Sequence, residues 1–168
     1  FDLDKHSDKP KFGLGLKEIW EVDEKNHTPG KVDHFIGWPL DDKTGGGGFM
    51  YQLEGNQISI GFVVHLNYRN PYISPFEEFQ KFKTHPKISA ILSGGKRISY
   101  GARVITEGGL QSIPKMVFPG GIIVGCSAGQ VNVPRIKGTH NAMKSGMIAA
   151  ETIFSCLAES NKVLNQYE

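Results

Sequence analysis

Between Phe118 and Phe154 the sequence runs from an apolar strand through a glycine-rich loop into a long helix, and no other stretch restricts the fold as much. Phe118-Pro119-Gly120-Gly121 leads into Ile122-Ile123-Val124, a short, fully apolar run of the kind expected in a buried parallel sheet. Gly125-Cys126-Ser127-Ala128-Gly129 follows, and then a loop rich in Gly, Pro and Asn. At Gly138-Thr139-His140-Asn141 a helix begins, predicted to run from Thr139 to about Leu157, with Ala142, Gly146, Ala149 and Ala150 along one side to pack tightly on a sheet. A strand that ends in glycines and hands over to a helix N-terminus leaves backbone N–H groups without partners, with the helix dipole behind them. A diphosphate or an electron-rich ring suits such a place. On residue types alone, a plain tight turn accounts for Gly-Cys-Ser-Ala-Gly equally well. Hydrolase chemistry is set aside, because no acid-then-histidine order accompanies Ser127.

At 168 residues the chain is long enough to bury a core, and 39% hydrophobic with 21% charged residues is a globular composition. The net charge of +2 is scattered along the chain, which gives no nucleic-acid footprint. No apolar run reaches the roughly 20 residues that span a bilayer; peripheral membrane contact stays open. The two cysteines, Cys126 and Cys156, are too few to ligate an iron–sulfur cluster, which takes four thiolates, so no metal ligands are assigned within the chain. Of the 21 glycines, many cluster, as at Gly45–Gly48, Gly94–Gly95 and Gly120–Gly121, where positive φ or close backbone approach is the usual reason.

Upstream, Phe12–Val22 and Lys31–Pro39 read as strands separated by a turn, and Phe49–Leu53 with Gln57–Leu66 as a hairpin around Gly55-Asn56. Ser74, Pro75 and Glu77 form a helix start, with Phe76, Phe79 and Phe82 as its apolar stripe. His85-Pro86 interrupts that helix, and Lys87–Leu92 is predicted as a second one ended by Gly94-Gly95. Lys96–Ile105 returns to strand. This order does not complete a doubly wound domain; it reads as a sheet module followed by the last strand–helix piece of another sheet, and the chain is expected to be incomplete.

Long runs carry a resemblance. Gly-Leu-Lys-Glu-Ile-Trp (15–20), Lys-Val-Asp-His-Phe-Ile-Gly-Trp-Pro-Leu-Asp (31–41), Asn-Pro-Tyr-Ile-Ser-Pro-Phe-Glu-Glu-Phe-Gln (70–80), Gly-Gly-Lys-Arg-Ile-Ser-Tyr-Gly-Ala-Arg (94–103), Glu-Gly-Gly-Leu-Gln-Ser-Ile-Pro-Lys (107–115) and Lys-Gly-Thr-His-Asn-Ala-Met-Lys-Ser-Gly (137–146) resemble the electron transfer flavoprotein–ubiquinone oxidoreductases. The likeness covers all but about the first and last ten residues. It implies an α+β chain with α/β character at its end. Residues 1–117 would be a β-sheet ubiquinone-binding domain with a helix pair near 74–93, and 118–168 the closing strand–loop–helix of a glutathione-reductase-like FAD-binding domain. It also implies an enzyme of the mitochondrial inner membrane, matrix side, or of a bacterial inner membrane, serving fatty acid β-oxidation. Such an enzyme takes electrons from reduced electron transfer flavoprotein and passes them through FAD and a 4Fe-4S cluster to ubiquinone. Electron transfer needs no catalytic acid–base pair, and none is assigned.

Residue by residue, the resemblance puts the quinone-contacting glycine pair on Gly46 and Gly47. It puts flavin contacts on the backbone of Gly125 and Cys126, on Gly138 and Thr139 at the helix start, and secondarily on His140 and Asn141. Two departures stand out: no G-x-G-x-x-G follows a first strand, and no four-cysteine region is present. With half a flavin site, the chain alone is expected neither to hold FAD tightly nor to reduce quinone. Two other readings are a geranylgeranyl-reductase-like flavoprotein fragment and a truncated, non-catalytic domain that binds a partner protein.

Overall fold

Strict alternation in one strand fixes the first core. The computed structural model describes residues 1–158, and in it strand β4 (Gln57–His65) buries Ile58, Ile60, Phe62 and Val64 completely. Ser59, Gly61 and Val63 face the other way, because successive side chains on a strand point to opposite faces. β4 is central in a five-stranded sheet of order β2-β3-β4-β1-β5, formed with β1 (Phe12–Glu21), β2 (Val32–Ile36), β3 (Gly46–Gln52) and β5 (Lys96–Thr106). The β1–β4, β2–β3 and β3–β4 pairs run antiparallel, with Leu16 opposite Phe62, Phe49 opposite Gly61 and Ile36 opposite Gly47. Gly55 and Asn56 turn the β3–β4 hairpin with φ of +66° and +56°, a conformation that Gly and Asn adopt at least steric cost. Of the glycine run at 45–48, Gly46, Gly47 and Gly48 open β3.

Helices α1 (Pro75–Lys83) and α2 (Pro86–Leu92) cover one face of the sheet. Ser74 caps α1 by accepting a hydrogen bond from the Glu77 N–H at 3.4 Å, with Pro75 at the first helical position, as the sequence predicts. Ser74→Ala should cost about 1 kcal/mol in urea unfolding, the usual value of a lost N-cap; no change would mean that water replaces the hydroxyl. Of the three phenylalanines, Phe79 and Phe82 are buried against Met50, Phe62 and Ile60, but Phe76 stays half exposed. The inner face instead starts at Glu78, buried and paired with Lys81 at 2.8 Å. The Phe82 ring lies 5.3 Å from Phe35 and 5.0 Å from Phe62, so one helix residue locks two strands.

A carboxylate ties the sheet to α1. Glu18 on β1 is 3% exposed and accepts hydrogen bonds from Trp20 Nε1 at 2.7 Å, Lys83 Nζ at 2.8 Å and an Arg97 guanidinium nitrogen at 3.2 Å. Lys83 Nζ also sits over the Trp20 and Phe79 rings, at 5.3 Å and 4.9 Å. Three donors satisfy a charge that would otherwise be costly to bury.

The chain divides into two compact units, Gly13–Ile105 and a second made of Phe1–Phe12 with Thr106 onward. In the second, the N-terminal segment pairs with the chain after β5: the Glu107 N–H donates to Lys11 O at 2.7 Å, Asp8 N–H to Gln111 O at 2.8 Å and Lys115 N–H to Leu3 O at 2.8 Å. Here the expected parallel strand at Ile122–Val124 gives way to a small antiparallel hairpin, β6 (Val117–Phe118) with β7 (Gly121–Ile122). A three-residue apolar run forms a parallel strand only beside partner strands, and the described residues of this unit offer none. The long helix α3 (Thr139–Ala158) starts where the sequence places it. Its buried positions are Ser145, Ala149 and Thr152 rather than the full stripe of small residues; Ala150 is exposed, and a Cβ on Gly146 would meet only open space. Ser145 and Thr152 tolerate burial because their hydroxyls donate to the helix carbonyls of Ala142 and Ile148, at 3.0 Å and 2.8 Å.

Candidate functional site

In the Gly13–Ile105 unit, the sheet face opposite α1 and α2 is built from three rows of residues fixed by the register. Ile36, Gly47, Val63 and Gly15 form one row, His34, Phe49, Gly61 and Lys17 the next, and Val32, Tyr51, Ser59 and Ile19 the third. In the first row Gly15 and Gly47 leave backbone without side chains between apolar neighbours, whereas in the second the Phe49 ring fills the space over the buried Gly61. Ile36 is 93% exposed at the end of the first row. Phe49 and Tyr51 lie 4.9 Å apart, and His34 Nε2 is hydrogen-bonded to the Tyr51 hydroxyl at 3.0 Å. A flat, largely apolar ring could rest on such a surface.

The two glycines of the predicted pair behave differently. Gly46 has φ of +152°, and a Cβ there would run into the Val63 carbonyl oxygen and the Leu40 side chain, so its bareness serves packing of the chain on itself. By register Gly46 is opposite the fully buried Val64, on the core side. Gly47 lies in the open row, and a Cβ on it would press on the Phe35 carbonyl oxygen. Gly48 is bare because the Phe82 ring fills the space of its side chain.

In the second unit the structure gathers Gly125, Cys126, Gly138 and Asn141 into one loop–helix cluster. Gly125, with φ of +61°, opens a short 3-10 turn over Gly125–Ala128, and Gly129 closes it with φ of +77°. The Gly125 N–H donates to Gln130 Oε1 and to Ser145 Oγ, each at 3.1 Å, so that amide is already engaged by its own chain. Asn141 Nδ2 donates to the Gln130 carbonyl at 2.9 Å, which pins the helix start to the loop. The Cys126 carbonyl accepts from Thr106 Oγ1 at 3.1 Å, while its thiol side chain is exposed. Thr139 and His140 are exposed on the first turn of α3, where the leading N–H groups have no helical partners. Next to this cluster a cleft of about 570 Å³ is lined by Gly109, Gln111, Asn132, Asn141 and Lys144 among others.

Residues 12–105 match the family described as ETF-QO, ubiquinone-binding. The chain belongs to that family. Curated relatives support the placement: a Mus musculus protein named electron transfer flavoprotein-ubiquinone oxidoreductase, mitochondrial, is 58% identical over 96% of this chain and 26% of its own length. The Oryza sativa subsp. japonica protein of the same name is 60% identical over 90% of this chain and 26% of its own. The Homo sapiens one is 57% identical over 96% and 26%. The chain thus spans about a quarter of the length of the relatives it matches. Among solved structures, a geranylgeranyl bacteriochlorophyll reductase-like protein of Thermoplasma acidophilum superposes with a TM-score of 0.74 over 94% of this chain and 38% of its own, at 18% identity. A flavin-dependent brominase variant gives a TM-score of 0.66 at 14% identity, over 93% and 40%. At these identities the likeness is one of fold.

The ETF-QO family match covers the sheet unit and its bare-backbone face. It does not extend to the loop–helix cluster, which has donors suited to an anionic or electron-rich group: the first N–H groups of α3, the Thr139 hydroxyl and the exposed turn at Cys126. A flavin fits these residues as one side of a site. Sequence reasoning did not find Glu18, His34 or Tyr51. Each stands in a strand whose alternation marks it only as inward or outward facing, and apart from Trp20 beside Glu18 the pairing partners come from other strands or from α1.

Proposed function

We propose that this chain is the ubiquinone-binding part, and one side of the FAD site, of an oxidoreductase that passes electrons from reduced electron transfer flavoprotein to ubiquinone. The observation that carries the reading is the open sheet face around Gly47, bare of side chains and flanked by Ile36 and Val63, inside the residues that match the ubiquinone-binding family. A quinone headgroup lies against that backbone, with Ile36 beside it. The flavin, when bound, supplies one-electron chemistry. Toward it Cys126 offers backbone, Thr139 a hydroxyl and α3 its N-terminal amides, with His140 at the rim. Gly125, Gly138 and Asn141 hold the loop and the helix start together so that those donors stay in place. A 4Fe-4S cluster and the docking site for electron transfer flavoprotein belong to the rest of the enzyme in this reading.

The proposed location is the matrix side of the mitochondrial inner membrane or a bacterial inner membrane, in service of fatty acid β-oxidation. Among the described residues no helix is long and apolar enough to cross a membrane, so the contact proposed is peripheral. Exposed Ile36 and Trp38 give it an apolar footing.

Ile36→Glu tests the site without threatening the fold, because the side chain is almost fully exposed. In the holoenzyme, affinity for a redox-inert ubiquinone analogue should fall at least about tenfold, the effect of placing a charge against an apolar ring. Reduction of the flavin by its electron donor should be untouched. Unchanged analogue affinity would move the quinone off this face.

A further inference from the structure

Reduction of a quinone to a quinol consumes two electrons and two protons, so besides a source of electrons the ring needs a group that gives protons to its oxygens. One row away from Gly47 on the open sheet face stands the His34–Tyr51 pair. Nε2 and the hydroxyl are 3.0 Å apart, and the rings meet edge-on with centroids 5.5 Å apart. His34 sits two residues before Ile36 on β2, so it is about 7 Å along the strand from the row that contains Gly47, within reach of a side chain and a headgroup together. Imidazole is the side chain that exchanges protons near neutral pH. His34 is exposed, so water can reload it.

Its electrostatic surroundings are simple. β3 is the strand paired with β2, and its titratable group on this face is Tyr51, whose hydroxyl touches the ring; α1 meets β2 through Phe82 on Phe35, on the other face. On its own strand, Asp33 alternates to the other face and pairs with Lys31 at 3.3 Å. In the same row, Lys17 is separated from it by β3 and β4, roughly 14 Å at the usual strand spacing.

We propose that His34, oriented by Tyr51, is the proton donor to a ubiquinone headgroup lying over Gly47; the inference rests on the reading of that face as the quinone site. As two electrons from the enzyme's redox centres enter the ring, an imidazolium N–H bond breaks and an O–H bond forms on one quinone oxygen, while the other oxygen takes its proton from water. The electron pair of the broken bond stays on the imidazole, which takes its next proton from water. Tyr51 is a positioning residue: its hydroxyl holds Nε2 and so leaves Nδ1–H as the donor.

The test uses the holoenzyme, a short-chain ubiquinone as acceptor and a redox-inert ubiquinone analogue as binding probe. His34→Gln should bind the analogue within about threefold of wild type, while kcat falls 10- to 100-fold, the lower range for loss of a general acid. The dependence of kcat on pH around neutrality should flatten. Added imidazole should restore part of the rate to His34→Ala, and Tyr51→Phe should lose a smaller factor in kcat with analogue binding kept. An unchanged kcat and pH profile in His34→Gln, with the analogue still bound, overturns the inference and leaves the quinone site standing. Weaker analogue binding with kcat preserved also overturns it. If the wild-type analogue affinity is unaffected by Ile36→Glu, the site reading itself fails, and this inference with it.

Discussion

Glu18→Gln should destabilise the sheet unit by about 3–5 kcal/mol, the usual consequence of removing one partner from a buried ion pair. Lys83, whose side chain is 13% exposed, then keeps its charge without the carboxylate it was buried against. Arg97, 45% exposed, loses less, because water can take the place of the carboxylate. Urea unfolding followed by Trp20 fluorescence reads the loss directly, since the indole N–H is itself bonded to Glu18. The sign with pH follows from the carboxyl's environment. Burial pushes its pKa up, but the hydrogen bonds from Lys83 and Trp20, the Lys83 charge and the Arg97 bond outweigh burial and hold it below the ordinary glutamate value. A group with a lowered pKa in the fold contributes stability that is fully present above its unfolded pKa and disappears as pH falls through the folded one. The gap between wild type and Glu18→Gln should therefore be constant near neutral pH and close in acid. A gap that persisted in strong acid would mean that the variant's defect is one of shape and not of charge.

Gly46→Ala should be damaging to a similar degree, about 2–6 kcal/mol, combining strain at a backbone conformation that suits glycine with overpacking. At φ of +152° its new Cβ would collide with the Val63 carbonyl oxygen, which belongs to the central strand and cannot swing aside as a side chain could. Gly48→Ala should follow, because its Cβ would enter the space of the Phe82 ring, itself only 2% exposed and wedged between Phe35 and Phe62. Gly101→Ala is the control: a Cβ there meets nothing within 4 Å, and its effect should stay within about 0.5 kcal/mol. Thermal melts of the three variants decide the matter, and a Gly46→Ala protein that melts with wild type would sink the packing argument. The consequence for function is practical. Loss of quinone turnover on enlarging Gly46 would report a disturbed sheet as readily as a blocked site, so Ile36 and His34 are the positions that separate the two.

Much of the fold was legible along the chain. Ser74-Pro75 marked the start of α1, Thr139 the start of α3 and Gly55-Asn56 the hairpin, because caps and turns are set by residues a few positions apart. The run Gln57–Leu66 predicts the second strand of that hairpin, and β4 occupies it. The apolar run at Ile122–Val124 misled for a related reason: it states that a strand is buried, while its direction and partners depend on neighbours that a short run does not encode. The stripe of alanines on α3 likewise ignored that a hydroxyl can hide its polarity against the helix backbone, which is how Ser145 and Thr152 came to be buried instead.

The glycine-rich segments at Gly45–Gly48 and Gly125–Gly129 show where the two kinds of information part. The sequence alone determined that side chains are missing at these places, and long matching runs pointed to the family to which residues 12–105 belong. Only the tertiary structure decided what the bareness is for: Gly46 and Gly48 make room for Val63 and Phe82, Gly47 falls in the open row, and the Gly125 amide is spent on Gln130 and Ser145. It also brought Glu18 to Lys83 and Arg97, 65 and 79 residues further along, and His34 to Tyr51 across a strand pair. Local periodicity acts over a few residues, whereas these contacts arise when antiparallel strands set distant parts of the chain side by side. For that reason the elements could be read in order from the sequence, and the site could be read only once they had been folded together.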